Sequence, residues 1–247
     1  MSESTTETQI EGKRSLTTVS FLIGIALGYM IQRLADFTRE LFGQPKYTSR
    51  AFLEELETGE TIQARAASIA AHNLIDGIEK RPLMNGEQKL VLNAGSRNFR
   101  EPWARDFGFA SYGLMALGKH EAVRECLDVF FLHQKPDGQF PVKIYSTGVL
   151  ERYVHAFFNR EQPTKTPLKP KYITGHRTIS LDGNALLIIA TANYTKHTPG
   201  TDYGRTHFEA LRRAAFWLEG YADPADGLLH QGAFSDWADS IARQGRV

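Results

Sequence analysis

Arg100-Glu101-Pro102-Trp103-Ala104-Arg105-Asp106-Phe107-Gly108-Phe109-Ala110-Ser111-Tyr112-Gly113-Leu114 is the stretch whose reading decides the fold. Phe107, Ala110, Leu114 and Leu117 recur every three or four residues, the spacing of one buried helical stripe. Pro102 stands just ahead of them, where a missing amide hydrogen costs little. Trp103, Arg105 and Asp106 therefore fall in the loop and first turn, at the mouth of the helix rather than on its packed flank. A flat aromatic face beside a guanidinium and a carboxylate is chemistry that holds a hydroxylated ring. The plainer reading is a tryptophan packed on the core, with Arg105 and Asp106 in a structural ion pair.

Outward from that helix the periodicity stays helical. Ile62, Ala66, Ile69, Ala70, Leu74 and Ile78 predict an amphipathic helix stopped before Pro82. After the Gly118-Lys119-His120 turn, Ala122, Val123, Cys126, Leu127, Phe130 and Phe131 predict another. Residues 181–194 are apolar nearly all round, which predicts an inner helix covered on both sides. Phe208, Leu211, Ala215 and Leu218 predict an outer amphipathic one. Long polar loops, 134–148 and 159–180, lie between them, and loops of that length are seldom idle connections. Short strands are expected at most within these loops.

The chain before residue 51 divides into three. Residues 1–14 are polar and read as a disordered tail. Residues 15–32 carry no charge and include Leu16, Val19, Phe21, Leu22, Ile23, Ile25, Leu27, Met30 and Ile31. As a helix they would be about 27 Å long, near the ~30 Å hydrocarbon core. A membrane anchor is the favoured reading, with a signal segment and a buried helix as alternatives. Gly24 and Gly28 form a GxxxG pattern, which also occurs by coincidence. Basic residues flank the stretch on both sides, so orientation is unreadable. Residues 33–50 read as a linker, and 51–247 as one helical domain. Without an anchor the expectation is a cytoplasmic protein.

Composition narrows the function classes. A net charge of +1 with no basic run leaves no electrostatic footprint for nucleic acid. The single Cys126 excludes an internal disulfide and a cysteine-based metal site, and it lies on a helical stripe that predicts a packed thiol. No cofactor and no metal are expected.

Four clusters place acidic and aromatic residues at helix mouths: Trp103-Ala104-Arg105-Asp106, Pro136-Asp137-Gly138-Gln139-Phe140-Pro141, Ser180-Leu181-Asp182-Gly183-Asn184, and Phe234-Ser235-Asp236-Trp237-Ala238-Asp239-Ser240. Each alone has a plain explanation. Asp137-Gly138 is a turn signal, Ser180 or Asp182 an N-cap, and Asp236 and Asp239 caps of a last helix with Trp237 in the core. Their order and spacing resemble the six-hairpin, (α/α)6-barrel glycoside hydrolases: glucoamylases, the glucosidase part of glycogen-debranching enzymes, and neutral/alkaline invertases. Trp103-Ala104-Arg105-Asp106 is similar to the Trp-x-Arg-Asp of glucoamylases, whose Arg and Asp hold the sugar being cleaved. Asp137-Gly138-Gln139-Phe140-Pro141 resembles a Gly-x-x-Pro loop of debranching enzymes and invertases. Asp182-Gly183-Asn184-Ala185-Leu186 resembles the Asp-Gly-Pro-Ala-Leu that opens an inner helix in glucoamylases. Trp237-Ala238-Asp239-Ser240 resembles the Trp-Met-Asp-Ala of debranching enzymes, whose Asp is the general acid.

The resemblance covers roughly residues 90–246 and implies an all-α fold, the N-terminal half of an (α/α)6 toroid behind an N-terminal hydrophobic helix. It implies an inverting glycoside hydrolase acting on α-glucosides or related oligosaccharides. Asp239 would be the acid and Asp236 a ligand or modulator, although alignment to invertases favours Asp236 as acid. Trp103, Arg105, Asp106, Asp182 and Trp237 would bind substrate. The family's catalytic base follows later in its barrel, so the expectation is a partial hydrolase completed by the missing half of the barrel. A non-catalytic carbohydrate-binding or assembly module of the same fold is the alternative. A third is a different α/α toroid, where the acidic residues serve structure.

Overall fold

The computed structural model describes residues 4–44, 61–95, 99–235 and 245–246, and the side chains of the first helix from Leu22 onward. The chain divides into two compact units, Met1–Lys46 and Tyr47–Val247. The first is one helix, α1 (Ser4–Gly43), whose residues 22–34 are exposed on every side. Among the described residues no helix is long and apolar enough to cross a membrane, so the expected anchor at 15–32 finds no support there. The 33–50 linker begins inside α1 rather than after it.

The second unit starts with α2 (Ile62–Asp76), capped by the Thr61 hydroxyl, which accepts from the Ala64 amide at 3.2 Å. Gly77 ends the helix, and Ile78 then opens a strand instead of closing the helical stripe. β1 (Ile78–Pro82) pairs antiparallel with β2 (Gln88–Leu92), Ile78 opposite Leu92 and Pro82 opposite Gln88. Asn85 and Gly86 make the turn between them, Gly86 at a φ of +83°. α3 (Ala104–Ala116), α4 (His120–Leu132), α6 (Asp182–His197) and α8 (Phe208–Glu219) stand where the periodicities predict helices. However, α8 buries Ala214 while Phe208 and Ala215 of its expected stripe are exposed, and α6, expected to be covered on both sides, exposes Ile189. α7 (Tyr203–Thr206) is a single turn. The two long loops hold the short strands allowed for them, β3 (Lys143–Tyr145) pairing with β4 (Lys169–Lys171), and α5 (Val149–Phe157) fills the stretch between the loops, where no helix is expected. The short strands β5 (His230–Gln231) and β6 (Gly245–Arg246) pair near the end.

The expected all-α class holds as helix-rich architecture, with small two-stranded ribbons as its β content. α3 and α6 form a central pair, with α2 and α4 packed on α3, and α4 and α8 on α6. Phe107, Leu114, Val123, Leu127, Phe130 and Leu187 are all within the buried core between these layers. Phe107 stacks on Phe130 with centroids 5.8 Å apart. Cys126 is buried there, and desolvation pushes its thiol up to about 12. Gly108 allows α3 to touch α6 closely, since a methyl group at that position would lie 2.5 Å from Leu186 Cβ. Gly108 and Leu186 each occupy the second turn of their helix, so α3 and α6 lie side by side with their N-termini at one end. Leu117, expected on the buried stripe, is instead exposed at the C-cap of α3, where the helix has already run out of cover.

Candidate functional site at the mouths of two parallel helices

The shared N-terminal end of α3 and α6 is where the sequence clusters meet. Arg105, in the first turn of α3, donates through Nε to Asp182 Oδ2 in the first turn of α6. Its Nη2 reaches Ser180 Oγ at 3.3 Å and the Ser235 carbonyl at 3.3 Å. Asp182 is held at its other oxygen as well, which accepts from Ser180 Oγ at 2.5 Å and the Gly183 amide at 2.8 Å. Three of the four clusters therefore converge on one guanidinium. Both carboxylate-bearing first turns sit at the positive end of a helix dipole, which favours negative charge there.

Two plain alternatives are corrected by this geometry. Arg105 does not pair with Asp106 but with Asp182, because neighbours on a helix project about 100° apart and cannot face each other. Ser180 and Asp182 are not N-caps of α6: Leu181 occupies that position, and the hydroxyl and carboxylate engage each other and Arg105. Asp106, next along the same turn, is exposed. Desolvation by the surrounding mouth raises its pKa above the ordinary carboxylate value, Asp182 adds to that, and its own backbone contact and Arg105 oppose it.

Trp103 is the N-cap residue of α3 and bridges to Lys143 of β3. Its ring meets Phe99 edge-on at 5.9 Å and carries Lys143 Nζ 4.8 Å from its centroid. Behind it lies a charged cluster that the sequence reading passed over. Glu101, fully buried, accepts from Lys143 Nζ at 2.7 Å and faces Arg152 at 3.7 Å. Desolvation lowers the Lys143 ammonium pKa, opposed by Glu101. Arg100 continues the network to Glu79 at 2.7 Å and Glu161 at 2.8 Å. The signal for it was only the charge pair Arg100-Glu101 flanking a proline, since its partners lie far along the chain.

The second cluster serves as a brace. Asp137 Oδ1 accepts from the Gln139 amide, the turn expected of Asp-Gly, and Gly138 has a φ of +102°. A methyl on Gly138 would lie 2.1 Å from the Arg213 carbonyl oxygen on α8. Asn184 clamps this turn to α6, donating to the Gly138 carbonyl at 3.0 Å and accepting from the Phe140 amide at 2.8 Å. The front of the fourth cluster docks likewise: Thr178 Oγ1 donates to the Phe234 carbonyl at 2.9 Å, and His176 stacks on the Phe234 ring at 4.4 Å. Asp236, Trp237 and Asp239 lie outside the described residues, as does the helix they were read as capping.

A cavity of about 480 Å³ lies elsewhere, between α4, α8 and the β1–β2 hairpin. Asp128, Phe131, Gln134, His207 and Arg213 are among its walls, and it contains none of the sequence clusters. His207 stacks on Phe131 at 4.1 Å and has its pKa lowered by desolvation, opposed by Asp128. Asp223, Asp226 and His230 bring ligand-type atoms within 4.8 Å of one another on a turn outside the four clusters. Asp223 and Asp226 each engage one oxygen in that turn's own amides.

No protein-family model matches the chain, and no curated protein matches it in sequence.

Proposed function

We propose that the second unit holds a sugar residue at the α3–α6 mouth, in the manner of the six-hairpin glycoside hydrolases, with α-glucosides or related oligosaccharides as substrate. The observation that carries this reading is the convergence of Trp103-Ala104-Arg105-Asp106, Ser180-Leu181-Asp182 and Phe234-Ser235 on one guanidinium. The arrangement of α3 and α6 as a parallel inner pair under α2, α4 and α8 supports an (α/α) toroid. In this reading Asp106 and Arg105 hold ring hydroxyls, Trp103 and Trp237 supply apolar faces, and Asp239 or Asp236 protonates the leaving oxygen. Inversion needs a second carboxylate to activate water across the sugar, roughly 6.5–9.5 Å from the acid. A tether through residues 15–32 belongs to the same reading, and vesicle flotation with and without residues 1–46 tests it.

A second reading uses the same mouth without proton transfer. Asp182 has both oxygens occupied and its charge matched by Arg105, an arrangement that fixes Arg105 for recognition. A carbohydrate-binding module would use the same residues. Calorimetric titration with maltose, maltotriose and sucrose, beside a reducing-sugar assay, tests them. Binding with turnover supports the hydrolase; binding without turnover supports recognition without chemistry in this chain, by a module or by a partial hydrolase. Absence of binding to all three, with Arg105→Met indistinguishable from wild type, removes both.

A further inference from the structure

α5 has its amphipathicity reversed. Val149, Leu150, Tyr153 and Phe157 fall within an arc of about 100° on the helical wheel. All four face solvent, Leu150 at 78% and Phe157 at 84% exposure, and Phe158 follows at 45%. The opposite side of the helix points inward: His155 is fully buried and Arg152 reaches Glu101. An apolar stripe turned outward while polar side chains turn inward has no cause in the packing of the described residues. Exposed apolar patches of this kind mark surfaces that meet something else.

The charge around the stripe points to what it meets. Arg152 is engaged by Glu101, but the chain that leaves α5, residues 158–171, carries four further cations, Arg160, Lys165, Lys169 and Lys171, against Glu161, whereas the whole chain nets only +1. Glu161 is paired with Arg100 at 2.8 Å, Arg160 sits at the C-terminal end of α5, its amide on the His155 carbonyl, and β4 brings Lys169 opposite Tyr145, four residues ahead of α5. Lys165 and Lys169 are exposed. We propose that α5 is an in-plane helix that seats its Leu150–Tyr153–Phe157 stripe in the headgroup region of an anionic lipid surface. Aromatic and aliphatic residues on one face, with cations flanking the helix, are the chemistry of helices that lie on a membrane rather than span it.

The test uses the full chain with Phe157→Cys labelled by an environment-sensitive dye. Cys126 is fully buried with its thiol pushed up to about 12, so the label goes to position 157 alone. With vesicles of phosphatidylcholine and phosphatidylserine the emission should shift to the blue, and with phosphatidylcholine alone it should stay unchanged. Lys165→Glu with Lys169→Glu should weaken the partition by about tenfold or more, at roughly 1 kcal/mol per surface cation. Vesicle flotation without a dye shift would mean tethering through α1 and would overturn a lipid-seated α5. A shift that grows with protein concentration in the absence of vesicles would assign the stripe to a second copy of the chain and overturn it equally. Circular dichroism of each variant confirms that the fold is intact, since the altered positions are exposed.

Discussion

Glu101 and Arg105 stand four residues apart and end in opposite surroundings. Glu101 has no exposed surface, and its partners Lys143 and Arg152 retain only 5% and 12%. Arg105 and Asp182 keep 23% and 30% of their side chains open to water. A buried charge has to be matched on the spot, because desolvation penalises each uncompensated ion by several kcal/mol. A pair at the surface can exchange one partner for water or for a ligand hydroxyl at small cost. The first cluster is thus fixed structure beneath Trp103, and the second is the one a ligand can still reach.

The contrast breaks first at Glu101. Glu101→Gln leaves Lys143 and Arg152 without their counter-ion, and urea unfolding should show a loss of about 3–5 kcal/mol. A loss below about 1 kcal/mol would mean the cluster is not buried in the way described. Gly138→Ala comes next. It sets a methyl against the Arg213 carbonyl in a backbone conformation that L side chains rarely adopt, at an expected cost of about 2–4 kcal/mol. Because the turn is clamped by Asn184 on α6, the mouth should loosen with it, seen as faster amide exchange at Gly183 and Asn184.

Asp182→Asn should cost only about 1–2 kcal/mol, half or less of the Glu101 effect, while sugar binding falls at least about tenfold as Arg105 loses its fixed orientation. Equal stability losses at Glu101 and Asp182 would erase the distinction between the regions. The smallest effect belongs to Asp106. Asp106→Asn should shift stability at neutral pH by no more than about 0.5 kcal/mol. Its pH dependence is more telling. The folded pKa of Asp106 lies above the unfolded value, so the native state holds this proton more tightly. Its contribution is therefore full below the unfolded pKa and lost as pH rises through the folded one. Wild type should lose stability relative to Asp106→Asn over that acidic window, and a carboxyl NMR titration should place Asp106 above an ordinary aspartate.

The difference between the regions also governed what the sequence could disclose. α3, α4 and α6 announce themselves because a buried face repeats every three or four residues, whereas the stripe that predicts α8 is one the fold leaves largely open. The mouth was legible in Trp103, Arg105, Asp106 and Asp182 because all four sit at the ends of those helices. The partner of Arg105 was not, since nothing local distinguishes Asp106 beside it from Asp182 across the mouth. The Glu101 network was hidden for the same reason, its members lying 42 and 51 residues away on β3 and α5. The β1–β2 hairpin was missed through Ile78, whose spacing fits a helical stripe although Gly77 had already ended the helix. Asn85-Gly86 between two short apolar runs is the signal that would have found it. α5 could not be read as a core helix because it is not one.

The 130 residues separating Arg105 from the Ser235 carbonyl set the order in which the mouth assembles. Contacts within α3 and α4, and across the β1–β2 turn, close short loops and form early. The Arg105–Asp182 contact closes a loop of 77 residues, and the Ser235 contact the longest of all. During synthesis α2, the β1–β2 hairpin, α3 and α4 are able to condense while Arg105 still faces solvent. The mouth closes only when α6 docks and residue 235 has been made.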